Sequence, residues 1–549
     1  MKKTFIGHAL LIAASSAGLA SAATVTPTST PLSRYLPAGA LGTLEAHNLR
    51  DAFEASKPLL KSLVRSVDPT MNFTSLELGS QVVWGSVGLE SSLGVYSVGT
   101  KNAGYLAVTR VNGAANVMLS AQMRSSYVEG KPVKVGAFSF QKMNGNYMGM
   151  GGGLAYASSD FDLMKAFLRR LNGEKLPTLS GSAKYTQTVK TLESSQLKIY
   201  IDFALVSKLA RNLLAEIYIP RIGDPILEAL NTLGQSGYGL TVQKDGIEGR
   251  AVQTLNKEGK EVNLYNLLTA SKDEFTSAQF IPANVYSVVT CALDPVSEPR
   301  YWANWMTRLD LYDPTGILTD SRLVDTFLDS SSWLGNEQST VTLRPIAKNP
   351  NSLTSTYQNQ IWMLEVTDEA RAEVVMQSFA GNFNTSLKKT LEYYRKLIPA
   401  NLQGEVESLG LDSSMLAGLQ PLLELLRGDS SLVYRIQNGY LFIGSDAAAL
   451  DKFLNAPNKL VDLPAYRALP KGGRCLDLTP NGINLSKAEY RKLLQSSLST
   501  SASMLPDSTL NTLSAALERY GKSIKGSSGS WRVEGNQLIG QGKLRIDFK

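Results

Sequence analysis

Short runs of alternating apolar and polar residues, interleaved with runs at helical spacing, recur along this chain in one order, twice. The first series opens on Tyr35-Leu36-Pro37 and a strand pattern over Ala40–Ala46. The second opens on Phe280-Ile281-Pro282 and a strand pattern over Val285–Leu293. Helical periodicity follows at Leu49–Val67 and at about Pro299–Leu311, then a tryptophan and a glycine: Trp84-Gly85, and Trp333-Leu334-Gly335. A strand running into a helix comes next, Tyr105–Arg110 with Asn116–Met123 and Ile361–Val366 with Glu369–Phe379. The change from a period of two to a period of 3.6 marks each boundary.

The closest correspondence lies further on. Tyr147–Ser159 reads as a strand ending in Ser-Asp before a helix over Asp162–Leu171, and Tyr440–Ser445 with Ala447–Leu454 repeats it. Leu197–Asp202 matches Arg474–Asp477, with helices after each near Leu205–Glu216 and Lys487–Ser497, then near Asp224–Leu233 and Ser508–Tyr520. Each series closes in a hairpin, Gly239–Thr254 around Asp245-Gly246 and Ser530–Ile546 around Glu534-Gly535. An acidic residue before glycine between alternating apolar positions predicts a tight turn, because the turn needs positive φ.

A repeat longer than about 50 residues is not a solenoid period; it reads as duplication of a domain. The expected fold is α+β: two homologous tandem domains, residues 34–270 and 277–549, each a mainly antiparallel sheet covered by helices on one face. The second carries extra helical sequence at about 384–428, where Leu387, Leu391, Tyr394 and Leu397 keep helical spacing. The first has a short strand-like stretch there, Val133–Gln141.

The N-terminus has the pattern of a secretory signal over residues 1–22. Lys2 and Lys3 precede an apolar run, and Ala20-Ser21-Ala22 is a small-residue cleavage site. Residues 23–33 form a Thr/Ser/Pro-rich tether. No later segment has about 18 uninterrupted apolar residues, so no transmembrane helix is expected in the mature chain. The net charge of +7 becomes +5 without Lys2 and Lys3, with the basic residues scattered, which argues against a nucleic-acid footprint. Apolar content of 43% with 19% charged residues is enough for packed cores.

Export changes the meaning of the two cysteines. Cys291 lies on an opening strand and Cys475 on the strand after a spacer helix, so a disulfide forms if those strands are neighbours; two buried free thiols are the alternative. Near the matching positions the first copy offers Glu45 or Ala46 and Tyr200.

Histidine narrows the chemistry further. His8 leaves with the signal, so His47 alone remains, and a His-rich zinc site is ruled out. A Ser-His-Asp arrangement would have to use His47, at a strand-to-helix junction where caps and surface groups are common; the second copy has Asp294 or a neighbour there. Ser195-x-x-Lys198 and Ser386-x-x-Lys389 occur in one copy each, and Gly234-Gln235-Ser236-Gly237 only half matches a nucleophile elbow. The glycine run Gly149–Gly153 lacks the Lys-Ser/Thr ending and following helix of a phosphate loop, and reads as a hairpin or bulge. Asp310, Asp313, Asp320 and Asp325 surround Pro314-Thr315-Gly316, where oxygen ligands on a glycine loop can hold calcium; the spacing is not that of an EF-hand, and turn or cap roles account for them as well. Tyr301, Trp302 and Trp305 crowd one helix and form a candidate partner or lipid patch, with core packing as the plainer reading.

The openers Leu36-Pro37 and Ile281-Pro282, Trp333-Leu334-Gly335, and the Ser-Asp strand ends at Ser159-Asp160 and Ser445-Asp446 together resemble an exported bacterial family, domain of unknown function 3352, present as two tandem copies. The first copy departs from it, with Gly85 directly after Trp84. The resemblance brings no catalytic residues. The functional expectation is an exported non-enzymatic envelope protein, periplasmic or extracellular, acting by binding or assembly with an envelope protein or lipid and needing no cofactor. The alternatives are a carrier of an apolar ligand such as lipid, and a hydrolase using carboxylates alone. If the signal is read correctly, mass spectrometry of the exported protein finds its N-terminus at Ala23; retention of residues 1–22 would contradict it.

Overall fold

The computed structural model describes residues 31–47, 90–100, 102–111, 128–214, 220–256, 261–308, 332–344, 360–397, 432–482, 485–497 and 507–547, with a few isolated residues besides. Trp84, the aspartates between 310 and 325, and the sequence from 398 to 428 lie outside the described residues. The chain divides into two compact units, residues 1–219 with 226–259, and residues 220–225 with 260–549.

Unit 1 contributes β1 (Ala40–His47), β2 (Glu90–Val98), β3 (Asn102–Arg110), β4 (Val128–Val135), β5 (Phe138–Met143), β6 (Asn146–Gly151), β7 (Leu154–Ser158), β8 (Leu197–Asp202), β9 (Gln235–Gln243) and β10 (Gly246–Thr254). Their order in the sheet is β4-β5-β6-β7-β3-β2-β1-β8-β9-β10, every pairing antiparallel. Unit 2 contributes β11 (Ser287–Ala292), β12 (Leu334–Thr342), β13 (Gln360–Val366), β14 (Val433–Gln437), β15 (Tyr440–Gly444), β16 (Cys475–Thr479), β17 (Ile524–Glu534) and β18 (Gln537–Ile546). Their order is β14-β15-β13-β12-β11-β16-β17-β18, again antiparallel throughout. Reading β6 as β14, β7 as β15, β3 as β13, β2 as β12, β1 as β11 and β8–β10 as β16–β18, the two orders coincide. Unit 1 adds the β4–β5 hairpin where unit 2 has the helix Glu369–Leu397.

Two sequence expectations are corrected by glycine geometry. Tyr147–Ser159 is two strands rather than one, because Gly152 and Gly153 take φ of +60° and +75° and turn the chain between β6 and β7. The neighbouring Gly149 lets the β6 backbone approach Ser139 and Tyr156, a space in which a Cβ has no room. The glycine run is therefore a hairpin with aromatic cover. Val133–Gln141 likewise spans parts of two strands, reversing at Gly136, with φ of +57°.

One sheet face carries the main core of each unit. In unit 1, Leu106, Val108, Phe140 and Tyr156 pack against Met164, Phe167 and Leu168 of the helix Phe161–Leu171. That helix starts at Asp160, whose carboxylate accepts from the Leu163 amide at 2.9 Å. In unit 2, Met363, Tyr440 and Phe442 pack against Leu450 and Phe453 of the helix Ala447–Leu454, and Asp446 caps it at Ala448 and Ala449. The Ser-Asp pairs read from the sequence are thus N-caps, satisfying amides that have no partner inside the helix. Unit 2 extends its cover to the second face at one end. There Ala372, Val375 and Met376 of Glu369–Leu397 pack on Leu441, Leu364 and Ile443, because β13 and β15 are apolar on both sides.

The strand openers are pinned by backbone bonds in the same way. The Leu179 amide donates to Leu36 and the Leu460 amide to Ile281, at 2.9 and 2.7 Å. The helix Val262–Thr269, which the boundary at 270 would leave in the first domain, belongs to unit 2; its Asn266 bonds Ser297 of the helix Ser297–Arg308 at 3.2 Å.

Cys291 and Cys475 are direct partners on β11 and β16, joined as a disulfide with Cα atoms 4.0 Å apart and 184 residues between them in sequence. Register places Ala46 and Leu197 at the equivalent pair in unit 1, not Tyr200. Five of the six tryptophans lie in unit 2, so fluorescence reports mainly its unfolding. Replacing both cysteines by alanine is expected to lower the stability of that transition by about 2–4 kcal/mol, seen as a lower denaturant midpoint; an unchanged midpoint would mean the bridge adds nothing.

Candidate functional site

The polar position that the two units share sits on the second strand of each sheet, at the end of its ladder with the first strand. It is carried by Glu90-Ser91-Ser92 in unit 1 and Glu337-Gln338-Ser339 in unit 2. Register makes them equivalent: Glu90 faces His47 on β1, Glu337 faces Ala292 on β11, and each is the end pair of its ladder. His47 therefore corresponds to Ala292, not Asp294. Asp294 instead caps the helix Ser297–Arg308, accepting from the Val296 and Ser297 amides at 3.0 and 2.7 Å.

Glu90 is buried. It accepts from the Leu32 amide at 2.9 Å and from Arg110 Nε at 2.6 Å. Glu337 is wholly buried and accepts from the Ser277 and Thr276 amides, at 2.8 and 2.9 Å, and from Lys272 Nζ at 2.9 Å. Leu32 and Ser277 hold the same place, the first residue of the 3-10 turn that precedes each opener. Each carboxylate thus clamps the entering chain to the sheet and pairs with one cation. Burial alone would raise the Glu337 pKa; the bonds from Ser277, Thr276 and Lys272 outweigh it and hold the group below the usual carboxylate range. Burial would lower Lys272, and its bonds to Glu365 and Glu337 turn the shift upward.

Glu365, which the register puts opposite Glu337, shares Lys272 at 2.8 Å and also accepts from the Asn336 amide. Two carboxylates so close would suit acid–base hydrolysis if water lay between them. A lysine ammonium lies between them instead. Around this pair the hydroxyls of Ser277, Ser339 and Thr290 bond one another at 2.8 to 3.4 Å.

The same place in unit 1 is chemically different. Ser92 replaces Ser339, but its neighbours Leu32 and Glu45 stand where Ser277 and Thr290 stand, and the buried Ser92 hydroxyl has no hydrogen-bond partner among the described residues. Glu45 is buried and accepts from the Tyr185 hydroxyl. Burial, then the charge of Glu45, push the Tyr185 pKa up. His47 Nε2 lies 3.5 Å from Glu45 and is likewise buried without a hydrogen bond. Glu45, His47 and Ser92 therefore form a small polar island on the covered side of the sheet. Its acid is engaged by a phenol.

The remaining candidates are dispersed. Trp302 is 48% exposed and meets Tyr301 edge-on at 5.5 Å between ring centres, while Tyr301 is half-buried. Trp302 and Gln338 both donate to Glu298, whose pKa burial raises. The Trp305 side chain lies outside the described residues. Trp333 is a core residue. Ser195 is buried under Gly239, Ser236 donates to Gln253, and neither faces a base. Among the described residues no cluster of three or more His, Cys, Asp or Glu has the arrangement of a metal site. No described helix is long and apolar enough to cross a membrane.

Glu90 and Glu337 were missed from the sequence. The available signal was Glu-x-Ser on the second strand of both copies, a pattern too short to notice without the register.

No protein-family model matches the chain, and no curated protein matches it. Among solved structures, TP0453 in crystal form III is 11% identical, over 44% of this chain and 86% of that one, with a TM-score of 0.26. Crystal form IV of TP0453 is 12% identical over 41% and 80%, with a TM-score of 0.25. At such scores the likeness carries no argument.

Replacing Glu337 by alanine leaves buried amides and a lysine without their acceptor. It is expected to cost unit 2 about 2–4 kcal/mol, read from denaturant midpoints. Because the folded-state pKa of Glu337 is depressed, its contribution is present above the unfolded carboxylate pKa of about 4.3 and is lost as pH falls through the folded value. The acid limb of the stability profile should flatten in Glu337→Ala; an unchanged limb would refute the clamp.

Proposed function

We propose that this chain is an exported, non-enzymatic protein of the cell envelope or exterior that acts by binding or assembly. In this reading the two units descend from one domain resembling domain of unknown function 3352. The supporting observation is the use made of the shared polar position. Glu90 and Glu337 each hold an entering backbone and a cation in place, so the constellation common to both units serves folding. A catalytic carboxylate has to face substrate with a free lone pair at the moment of proton transfer.

A second reading, a carrier of an apolar ligand, is favoured by the half-open second face of the unit 1 sheet. Leu44, Tyr238 and Leu240 are each at least 40% exposed there. A carboxylate hydrolase is less favoured, because Lys272 fills the space between Glu337 and Glu365.

Mature protein incubated with envelope extract should retain a companion, protein or lipid, at a fixed ratio near one per chain, as measured by quantitative mass spectrometry. Conversion of an extract component by catalytic amounts of protein, abolished in Glu45→Gln or His47→Ala, would overturn the reading.

A further inference from the structure

The second sheet face differs between the units at equivalent positions. In unit 1 one cross-strand row runs through Tyr238, Ile199, Leu44, Leu93, Ala107 and Ala157. It spans six strands, about 24 Å at the usual strand spacing, without a polar side chain except the Tyr238 hydroxyl. The next row adds Ala46, Leu197 and Leu240 and turns polar beyond them at Ser91 and Thr109. Of these residues only Ala46 and Ala157 are fully buried. In unit 2 the matching row reads Gly529, Asp477, Val289 and Thr340 before it reaches Trp362 and Ile443. There the apolar end at Ile443 packs with the helix Glu369–Leu397, and the polar end holds the Asp477 carboxyl. An apolar carpet of this extent on one unit marks an interaction surface.

Charge identifies the occupant. Residues 23–259 hold 24 lysines and arginines against 18 aspartates and glutamates, a net +6; residues 260–549 hold 29 against 30. The excess positive charge of the mature chain therefore lies entirely in unit 1. No carboxylate among the described strand residues points to the apolar face of unit 1: Glu45, Glu90, Glu129, Asp202 and Glu248 all project to the other side by register, as do Arg110, Lys142, Lys198 and Arg250. Lys134, exposed on the edge strand β4, does point to it, and the exposed Lys131 lies on the same strand. A protein partner would be expected to present some acid or base pairing on the face itself. An apolar face without carboxylates, on a unit of net positive charge, instead complements acidic headgroups above acyl chains, where each basic residue near the surface adds about 1 kcal/mol.

We infer that unit 1 docks by this face on the surface of a lipid bilayer containing acidic phospholipids. The inference rests on the binding reading above and names its partner. Tyr238 supplies the ring with a polar tip that suits the headgroup level.

The test is flotation of the mature full-length chain with vesicles of phosphatidylcholine alone and with added phosphatidylglycerol. The chain should float with the acidic vesicles and detach as salt is raised. Leu44→Glu and Leu240→Glu should each reduce the floated fraction about tenfold, the equivalent of 1.4 kcal/mol, with thermal unfolding unchanged. Val289→Glu, the matching position of unit 2, should float like the wild type. Equal flotation with both vesicle types, no flotation with either, or the same loss in Val289→Glu overturns the inference. If the chain fails to float yet retains a stoichiometric protein or a monomeric fatty acid, only the bilayer inference falls; if it retains nothing, the binding reading falls with it.

Discussion

A buried carboxylate on the second strand is the interaction on which each unit depends. Every sheet here begins with a chain that must enter beside strands formed far away in sequence: β1 pairs with β8 and β11 with β16. The entering 3-10 turn exposes amides that no ladder can satisfy, and leaving such a group buried and unpaired costs about 1–3 kcal/mol. Glu90 and Glu337 satisfy them from the neighbouring strand. The acid fixes where the opener lies, the opener fixes the register of the central strand, and the register sends every other side chain to the covered face.

The two solutions differ in where the countercharge comes from. In unit 1 it is Arg110, opposite the acid on the adjoining strand; in unit 2 that position is the acid Glu365, and Lys272 from the segment before the opener serves both carboxylates. A buried carboxylate tolerates a change of partner more easily than the loss of one, because its desolvation has to be offset by some cation or donor. Ser92 illustrates the converse. Its equivalent, Ser339, is held by Ser277 and Thr290, and with Leu32 and Glu45 in those places the Ser92 hydroxyl has no partner among the described residues. The acid at 45 has Tyr185 as its donor, and the serine opposite is not engaged by it.

Much of the architecture was legible because it rests on local periodicity. The closing hairpins follow from Asp245-Gly246 and Glu534-Gly535, the N-caps from Asp160 and Asp446, and the disulfide from the expected adjacency of the strands bearing Cys291 and Cys475. Side-chain pattern alone misled where glycine removes the pattern. Gly149–Gly153 hid a turn, since a residue without a side chain has no alternation to read. The carboxylate clamp was harder to see. Glu90 and Leu32 are 58 residues apart, Glu337 and Ser277 are 60 apart, and no spacing rule connects them. Nor could composition reveal that Glu365 takes the position of Arg110 while Lys272 takes over its charge.

The disulfide and the apolar face occupy the same rows of the two sheets, which gives their divergence a common physical basis. Where unit 2 has Cys291, Cys475 and Trp531 across β11, β16 and β17, unit 1 has Ala46, Leu197 and Leu240. A crosslink at this place secures the junction of central strands without help from whatever lies on the face, so Asp477 and Thr340 can stand beside it. Without the crosslink, unit 1 carries apolar side chains there, several of them half in water, and burying the exposed part is worth about 25 cal/mol for each Å² removed from solvent. Part of that free energy is unrealised in the chain by itself. A surface that covered the face would recover it, so the absence of the crosslink and the docking proposed for this face are two aspects of one apolar row.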